Sequence, residues 1–307
     1  MNFTLHQLKI FVKLTDCQSV TKASEALYLT QPAVSIQLKN FQKQFDIPLT
    51  EVVGRQLYIT DFGKEVARSA QRILDEIEVI NYNTKSFKGK LAGRIKLSIA
   101  STAKYVMPYF LADFMHEHSG VDLEMDVTNK TRVVESLEQN EVDFSLVSVL
   151  PKQLNLNHVE LMQNKLFLVG GTCLNRNPKE PIIRLFKKHP LLFREKGSAT
   201  GAAMEAFITK KKIPIFKKMQ LTSNEALKQA VVAGLGYSIM PLIGIKNELK
   251  NQDLEIIPYR GLPITSHWNL VWLKSKKLSP AAKKFLEYIK SDKDRIIKEH
   301  FDWFEKY

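Results

Sequence analysis

The chain of 307 residues carries only two cysteines, Cys17 and Cys173, far apart and without a CxxC pair. That argues against a disulfide scaffold and a paired-cysteine redox sensor, so both thiols are expected to be reduced packing residues. No run of about eighteen apolar residues occurs, so no membrane-spanning helix is expected. Nor does a basic stretch precede an apolar one at the N-terminus, so no secretory signal is expected and the expected location is cytoplasmic. GxSxG, HExxH and Walker A patterns are missing as well, which leaves no catalytic residue, no cofactor and no metal site to assign. The nearest approach is His116 and His118, but two histidines two residues apart on a helix end point to different faces.

What is present is ordinary globular composition, 44% hydrophobic and 25% charged, in a chain long enough for two or three domains. The net charge of +13 is spread unevenly: +3 over residues 1–90, −4 over 91–163, +10 over 164–266 and +4 over 267–307. The basic segment has three readings: a nonspecific field for DNA, an attractor of an anionic ligand, or a solvated lysine surface.

The most informative stretch is TQPAVSIQLK, Thr30 to Lys39. Thr30 can cap a helix, and Pro32 falls in its first turn, where a missing N–H costs nothing. Val34, Leu38, Phe41 and Phe45 recur at steps of four, three and four and form a stripe that must be buried. The other face presents Gln31, Pro32, Ser35, Ile36, Lys39 and Lys43, a mix suited to base edges, a thymine methyl and phosphates. Upstream, Leu5, Leu8, Phe11 and Val12 form the inner face of a first helix, and Thr21 caps a second carrying Ala23, Ala26 and Leu27. Downstream, Pro48 to Thr60 holds two short β-prone runs around Gly54 and Arg55, a wing whose usual contact is the phosphate backbone. The competing reading is a plain three-helix bundle; order and spacing argue against it.

Residues 1–63 resemble the winged helix-turn-helix of LysR-type transcriptional regulators. The resemblance is carried by Ala23, Ala26, Thr30, Gln31, Pro32, Ala33, Ser35, Pro48, Leu49, Glu51, Gly54, Arg55, Thr60 and Gly63, with Thr50 departing where that family usually has Phe. It implies an N-terminal all-α winged helix-turn-helix plus long linker helix, and a C-terminal α/β two-lobed effector domain of the periplasmic-binding-protein-like type 2. Thr30, Gln31, Pro32, Ser35, Ile36, Lys39 and Arg55 become the expected DNA-binding residues.

The DNA-binding domain is expected over 1–60 and the linker over 61–88. In the latter, Val66, Ala70, Ile73, Ile77, Ile80, Thr84 and Phe87 alternate at four and three, a seam of about three heptads. Such a seam would pair two heads so that half-sites ~34 Å apart are read together. Residues 89–307 alternate β runs with helical stretches. Strands are expected at Arg94–Ala100, Val121–Val127, Asp143–Val149, Lys165–Gly171, Leu191–Arg194, Lys217–Leu221, Gly236–Met240, Leu254–Ile257 and His267–Leu273, with a last helix from near Ser279. The resemblance places lobe I at 91–163 and 267–307 and lobe II at 164–266, with a cleft between them.

Ligands of open α/β sheets sit beyond strand C-termini, near helix N-termini. The candidates there are Ser101 and Thr102, Asn129 and Thr131, Ser198 and Thr200 in the loop Gly197 to Gly201, and Ser223 and Asn224. An ordinary cap or turn is the competing reading of each. The stretches Ser223 to Pro241, Gly261 to Ile264 and Leu278 to Phe285 make the sensor similar to Calvin-cycle operon regulators within the family, a subgroup that responds to phosphorylated or nucleotide metabolites. Gly201 and Ser266 stand where that subgroup is expected to have arginine, which weakens the case for a phosphate ligand. The partners implied are double-stranded promoter DNA, a small-molecule effector, RNA polymerase, and further copies forming a homodimer or homotetramer, without membrane. In the C-terminal tail, Ile297, Phe301 and Phe304 recur at helical spacing and are expected to pack on the first lobe or on a partner subunit.

Overall fold

The structure is a computed structural model describing residues 2–54, 56–86 and 91–307, with the side chains of 81 and 83–86 outside the description. It divides into two compact units, 1–90 and 91–307.

The first unit opens with three helices, α1 Leu5–Cys17, α2 Val20–Ala26 and α3 Gln31–Gln42. A capping box starts α1: the Gln7 amide N–H donates to Thr4 Oγ1 at 3.2 Å, and the Thr4 N–H donates to the Gln7 side chain at 2.9 Å. Ser19 rather than Thr21 caps α2, because its hydroxyl accepts from the Lys22 N–H at 3.4 Å. Thr30 occupies the N-cap position of α3 with extended backbone, yet its side chain makes no capping hydrogen bond. The α3 helix stops at Gln42, one turn short of Phe45, which folds back into the core from a turn.

Leu8, Phe11, Ala23 and Phe41 are buried together. Phe3, Phe11, Phe41, Phe45 and Phe62 form a chain of ring contacts with centroids 5.1–6.2 Å apart. Leu5, expected inside, is exposed, while Ile10 is buried in α1, and Ala26 is exposed while Ala23 is buried.

The wing is the antiparallel pair β1 Thr50–Val53 and β2 Gln56–Ile59, in the register Thr50↔Ile59 to Val53↔Gln56. Gly54 takes φ +64° in its turn, a conformation that costs a glycine little. Thr60 ties the wing to the next helix: its N–H donates to Leu49 O at 3.1 Å, its hydroxyl donates to Pro48 O at 2.7 Å, and the same oxygen accepts from the Gly63 N–H at 2.9 Å. That helix, α4 Asp61–Ser86, packs Val66, Ala67, Ala70 and Leu74 into the core of its own unit. The expected seam therefore changes character along its length. Val66 and Ala70 serve the intramolecular core, whereas Ile73 and Ile80 are exposed. Thr84 and Phe87 lie outside the described side chains.

The second unit runs β3 Ala92–Ala100, α5 Met107–Glu117, β4 Gly120–Thr128, α6 Lys130–Glu138, β5 Phe144–Val147, β6 Leu156–Gly171, α7 Ile182–Lys188, β7 Leu191–Arg194 and α8 Ala199–Lys211. It continues through β8 Lys218–Leu221, α9 Asn224–Val232, β9 Ser238–Pro241, α10 Lys246–Lys250, β10 Leu254–Ile256, β11 Ile264–Leu273 and α11 Pro280–Phe301. The main sheet has the order β10-β6-β11-β5-β3-β4, with β9 also on β6. The β3 strand is parallel to both β4 and β5, while β11 is antiparallel to β5 and β6.

The long β6 joins the two lobes: its first half pairs with β11, its second with β9 and β10. In the second lobe β7 and β8 form a small parallel sheet, tied to the residue before β9 where the Leu192 N–H donates to Tyr237 O at 2.8 Å. One apolar cluster extends from Phe110, Phe114, Phe285 and Ile289 of α5 and α11 to Leu227 and Val231 of α9; a second lies under α7 and α8 around Phe186, Phe193 and Phe207.

Three further expectations change. The first half of β6 was not expected as strand. Ser101 and Thr102 do not start a helix; a 3-10 turn, Ala103–Tyr105, intervenes before α5. Cys173 is exposed rather than packed, whereas Cys17 is half-buried. In the tail, Phe301 ends α11 and Phe304 lies in the 3-10 turn that follows, both buried in the larger cluster.

Candidate DNA interface and effector cleft

With Val34 and Phe41 sunk in the core, the helical period turns Gln31, Pro32, Ser35, Ile36, Lys39 and Lys43 to solvent. Ile36 is 57% exposed, an aliphatic group kept in water at the centre of the face. Two exposed amide and hydroxyl groups, one aliphatic side chain and two cations thus stand on one ridge. The four-residue turn before it brings Tyr28 to 96% exposure at φ +55°, a ring the sequence reading passed over. Nothing in periodicity marks a turn residue as a surface ligand. Thr30 is exposed at the tip; Arg55 lies outside the described residues.

In the second unit most candidates gather where β3, β7, α8 and α9 meet. Ser101 follows β3, and its hydroxyl accepts from Asn224 Nδ2 at 2.8 Å, across the lobes. Asn224 Oδ1 in turn accepts from Arg194 Nη1, and the same nitrogen reaches Ser101 Oγ at 3.5 Å. Thr102, Ser198, Thr200 and Asn224 are each more than nine-tenths buried. The Ser198 hydroxyl caps α8, accepting from the Gly201 N–H at 3.3 Å. Among the described residues, no hydrogen bond engages the hydroxyl of Thr102 or Thr200.

The remaining candidates make no hydrogen bond to this group among the described residues. Asn129 caps α6, accepting from the Arg132 N–H at 3.0 Å. Ser223 is exposed and caps α9, accepting from the Glu225 and Ala226 N–H groups at 3.2 and 3.4 Å. Thr131 is exposed, but a Cβ on Gly197 would fall 2.8 Å from its hydroxyl, so the loop before α8 comes close to α6 only as glycine, at φ +88°.

On the other flank Tyr105 donates its hydroxyl to Glu225 Oε2 at 3.3 Å, and Lys228 bridges Glu225 at 3.2 Å and Glu248 at 2.7 Å. Burial, with the neighbouring carboxylates, pushes the Tyr105 hydroxyl up. Burial also raises Glu225, but hydrogen bonds from Gln229, Lys228 and Tyr105 and the Lys228 charge outweigh it and hold the carboxyl below its ordinary range. Desolvation opposes the charged form of Lys228, and its two carboxylate partners overcome it, so its value rises.

Arg194 and Glu195 were missed by sequence reasoning. The signal available was an arginine closing an otherwise apolar strand, Leu191–Arg194. Among the described residues no cluster of histidine, cysteine and acidic side chains could hold a metal, and no helix is long and apolar enough to cross a membrane.

Residues 5–64 match the bacterial regulatory helix-turn-helix protein family of lysR type, and residues 88–293 match the LysR substrate binding domain. The chain belongs to the LysR-type transcriptional regulators. As such a regulator it couples a DNA-binding head to an effector-binding domain in one polypeptide. The RuBisCO operon transcriptional regulator of Allochromatium vinosum is 34% identical to it over 303 residues, covering 96% of this chain and 98% of that one. The HTH-type transcriptional activator CmpR of Synechocystis is 33% identical over 290 residues, covering 94% and 95%. These relatives are named as transcriptional regulators, not as enzymes. Among solved structures, the Synechocystis CcmR regulatory domain in complex with 2-PG aligns at TM-score 0.59 and 29% identity, over 65% of this LysR-type chain and 96% of that one. The LysR family regulator CbnR shares the fold at TM-score 0.68 and 17% identity, over 94% and 99%.

Proposed function

We propose that this regulator reads its promoter with the ridge Gln31, Pro32, Ser35, Ile36 and Lys39, flanked by Thr30 and the wing residue Arg55, and is controlled by a small anionic metabolite between its lobes. Cytoplasmic promoter DNA is the first partner, the metabolite the second. The outward half of α4 pairs two heads through Ile73, Ile77 and Ile80, and sensor domains assemble dimers into a tetramer. Effector binding changes the placement of the heads and hence the bend in DNA, altering access by RNA polymerase. The lobe border is taken at 163/164 and 266/267, a choice supported by the Asn164 Nδ2 to Ser266 Oγ hydrogen bond of 3.2 Å at the crossing.

The observation that carries the effector reading is the pair of hydroxyls on Thr102 and Thr200, which sit on residues more than nine-tenths buried and make no hydrogen bond among the described residues. Such hydroxyls are available to a ligand, and the first turn of α8 adds N–H groups there. The likeness to a regulatory domain that holds 2-PG supports an anion. Two measurements on the full chain test this. Gln31→Ala and Ser35→Ala should abolish site-specific binding to its promoter fragment without changing the melting temperature. Addition of 2-phosphoglycolate should raise the melting temperature, and Thr102→Val and Thr200→Val should remove that rise; normal operator binding or an undiminished rise in these variants would refute the corresponding half.

A further inference from the structure

We infer that Glu195 is a resident stand-in for the effector's anionic group: its carboxylate occupies the outer fork of Arg194, and an incoming anion takes that fork by displacing it. This rests on the effector reading above and goes further, because it names the residue that holds the anion and the residue that competes with it.

The side chain of Arg194 is 2% exposed, and its two edges are served differently. The Nη1 corner is held by neutral groups, Asn224 Oδ1 and Ser101 Oγ. The edge formed by Nε and Nη2 faces Glu195 bidentately, with Nε donating to Oε2 at 2.8 Å and Nη2 to Oε1 at 2.9 Å. A guanidinium fork is shaped for the two oxygens of one carboxylate or phosphate. The neutral corner therefore fixes the orientation of the plane, while the charged edge is exchangeable.

Glu195 can leave without unfolding anything. Its main chain is pinned, the N–H donating to Leu221 O at 3.1 Å and the carbonyl accepting from the Ser198 N–H at 3.2 Å. Its side chain is 15% exposed, the more accessible member of the pair. Rotation of that side chain frees two donors and moves the carboxylate toward water. The exchange conserves charge at the fork: one anion leaves, another arrives, and Arg194 stays paired throughout.

Thr102 and Thr200 each neighbour in sequence a residue that touches Arg194. Ser101, touched by Arg194, precedes Thr102, and a Cβ on Gly201, next to Thr200, would lie 3.2 Å from both the Cβ and the carbonyl oxygen of Arg194. An anion on the fork would thus lie in the same region as two hydroxyls that make no hydrogen bond among the described residues. A buried arginine already saturated by its own neighbour also has a cost for the regulator: every ligand must first overcome Glu195, which lowers its apparent affinity.

The test is calorimetric titration of the full-length chain, and of variants, with 2-phosphoglycolate and separately with inorganic phosphate. Glu195→Gln, which keeps one acceptor for Arg194 but removes the competing charge, should bind 2-phosphoglycolate at least fivefold more tightly. Arg194→Met/Glu195→Met, which removes both charges and leaves neither unpaired, should melt cooperatively and lose binding by more than tenfold. Unchanged or weaker binding in Glu195→Gln, or retained binding in the double variant, overturns the inference. If the native chain binds and Thr102→Val abolishes binding while Glu195→Gln changes nothing, the effector site stands and only this inference falls. Failure of the native chain and of Glu195→Gln to bind either anion overturns both.

Discussion

A Cβ on Gly63 would stand 2.1 Å from the carbonyl oxygen of Leu49, so the start of α4 and the segment entering the wing touch backbone to backbone. The Thr60 hydroxyl, bonded to both Pro48 O and the Gly63 N–H, holds the same junction from the other side. Main-chain atoms cannot rotate out of the way as a side chain can. Gly63→Ala should therefore destabilise the N-terminal unit by about 1–3 kcal/mol, the range of an overpacked core site. Urea titration followed by Trp-independent far-ultraviolet dichroism should show the loss, and promoter affinity should fall with it; a variant of native stability would mean that the wing can shift freely.

On α4, Ile73 is 42% and Ile80 61% exposed, while Ala70 on the preceding turn is buried in the unit's own core. Exposed isoleucines seven residues apart on one helix face are placed to be buried by a second chain. Ile73→Glu/Ile80→Glu should leave monomer stability within about 0.5 kcal/mol, as surface changes do. Sedimentation should nonetheless show the assembly shifted to monomer. A variant with native mass would move the pairing surface elsewhere.

The parts legible from sequence were those fixed by local rules. Pro32 and the stripe Val34–Phe41 mark α3 because both constraints lie within one helix, and Leu191–Arg194 was read to the residue because an apolar run bounded by Pro190 and Glu195 has few alternatives. Thr21 was confused with Ser19 because both can cap and lie two residues apart; only the fold decides which N–H is near. The first half of β6, LNHVELMQN, escaped notice because it mixes polar residues into a strand that is covered unevenly. The eight cleft candidates were found by the rule that ligands sit near helix N-termini, and the same rule could not separate Asn224, buried between the lobes, from Ser223, which is an exposed cap. Lys165 was invisible for a different reason: its main-chain partners lie 139 and 142 residues away.

Lys228 links α9 to α10 through Glu225 and Glu248, and its own exposure is 8%. Because Glu225 is held below the ordinary carboxylate range in the folded chain, its contribution is present at neutral pH and lost as pH falls through its folded value. Lys228, raised, keeps its charge across that whole range and loses its contribution only above the lysine range. Lys228→Met leaves the two carboxylates without their shared cation. The cost at pH 7 should be about 1–2 kcal/mol, at the lower end for a partly buried pair because the half-exposed Glu225 is screened by water. Lowering the pH through the folded value of Glu225, below the ordinary carboxylate range, protonates that carboxylate and should narrow the gap between variant and native chain. Urea midpoints at the two pH values decide it, and a gap that widens in acid would contradict the assignment.

Lys165 lies on β6 opposite Thr265 on β11, and its ammonium reaches far down the chain. It donates to Phe304 O at 3.2 Å and Tyr307 O at 3.1 Å, sits 3.6 Å from the Glu305 carboxylate, and stands over the Phe304 ring at 5.1 Å. A cation only 8% exposed depends on these acceptors, since leaving a buried charge unpaired costs more than never having buried it. Deleting residues 302–307 should thus destabilise the chain both by removing Phe304 from the core and by stranding Lys165. Only the second part depends on the lysine. In a Lys165→Met background the same deletion should cost about 1–3 kcal/mol less, the difference being the coupling energy of a double-mutant cycle. Equal costs in the two backgrounds would show that the tail acts through Phe304 burial alone and that water already satisfies the ammonium.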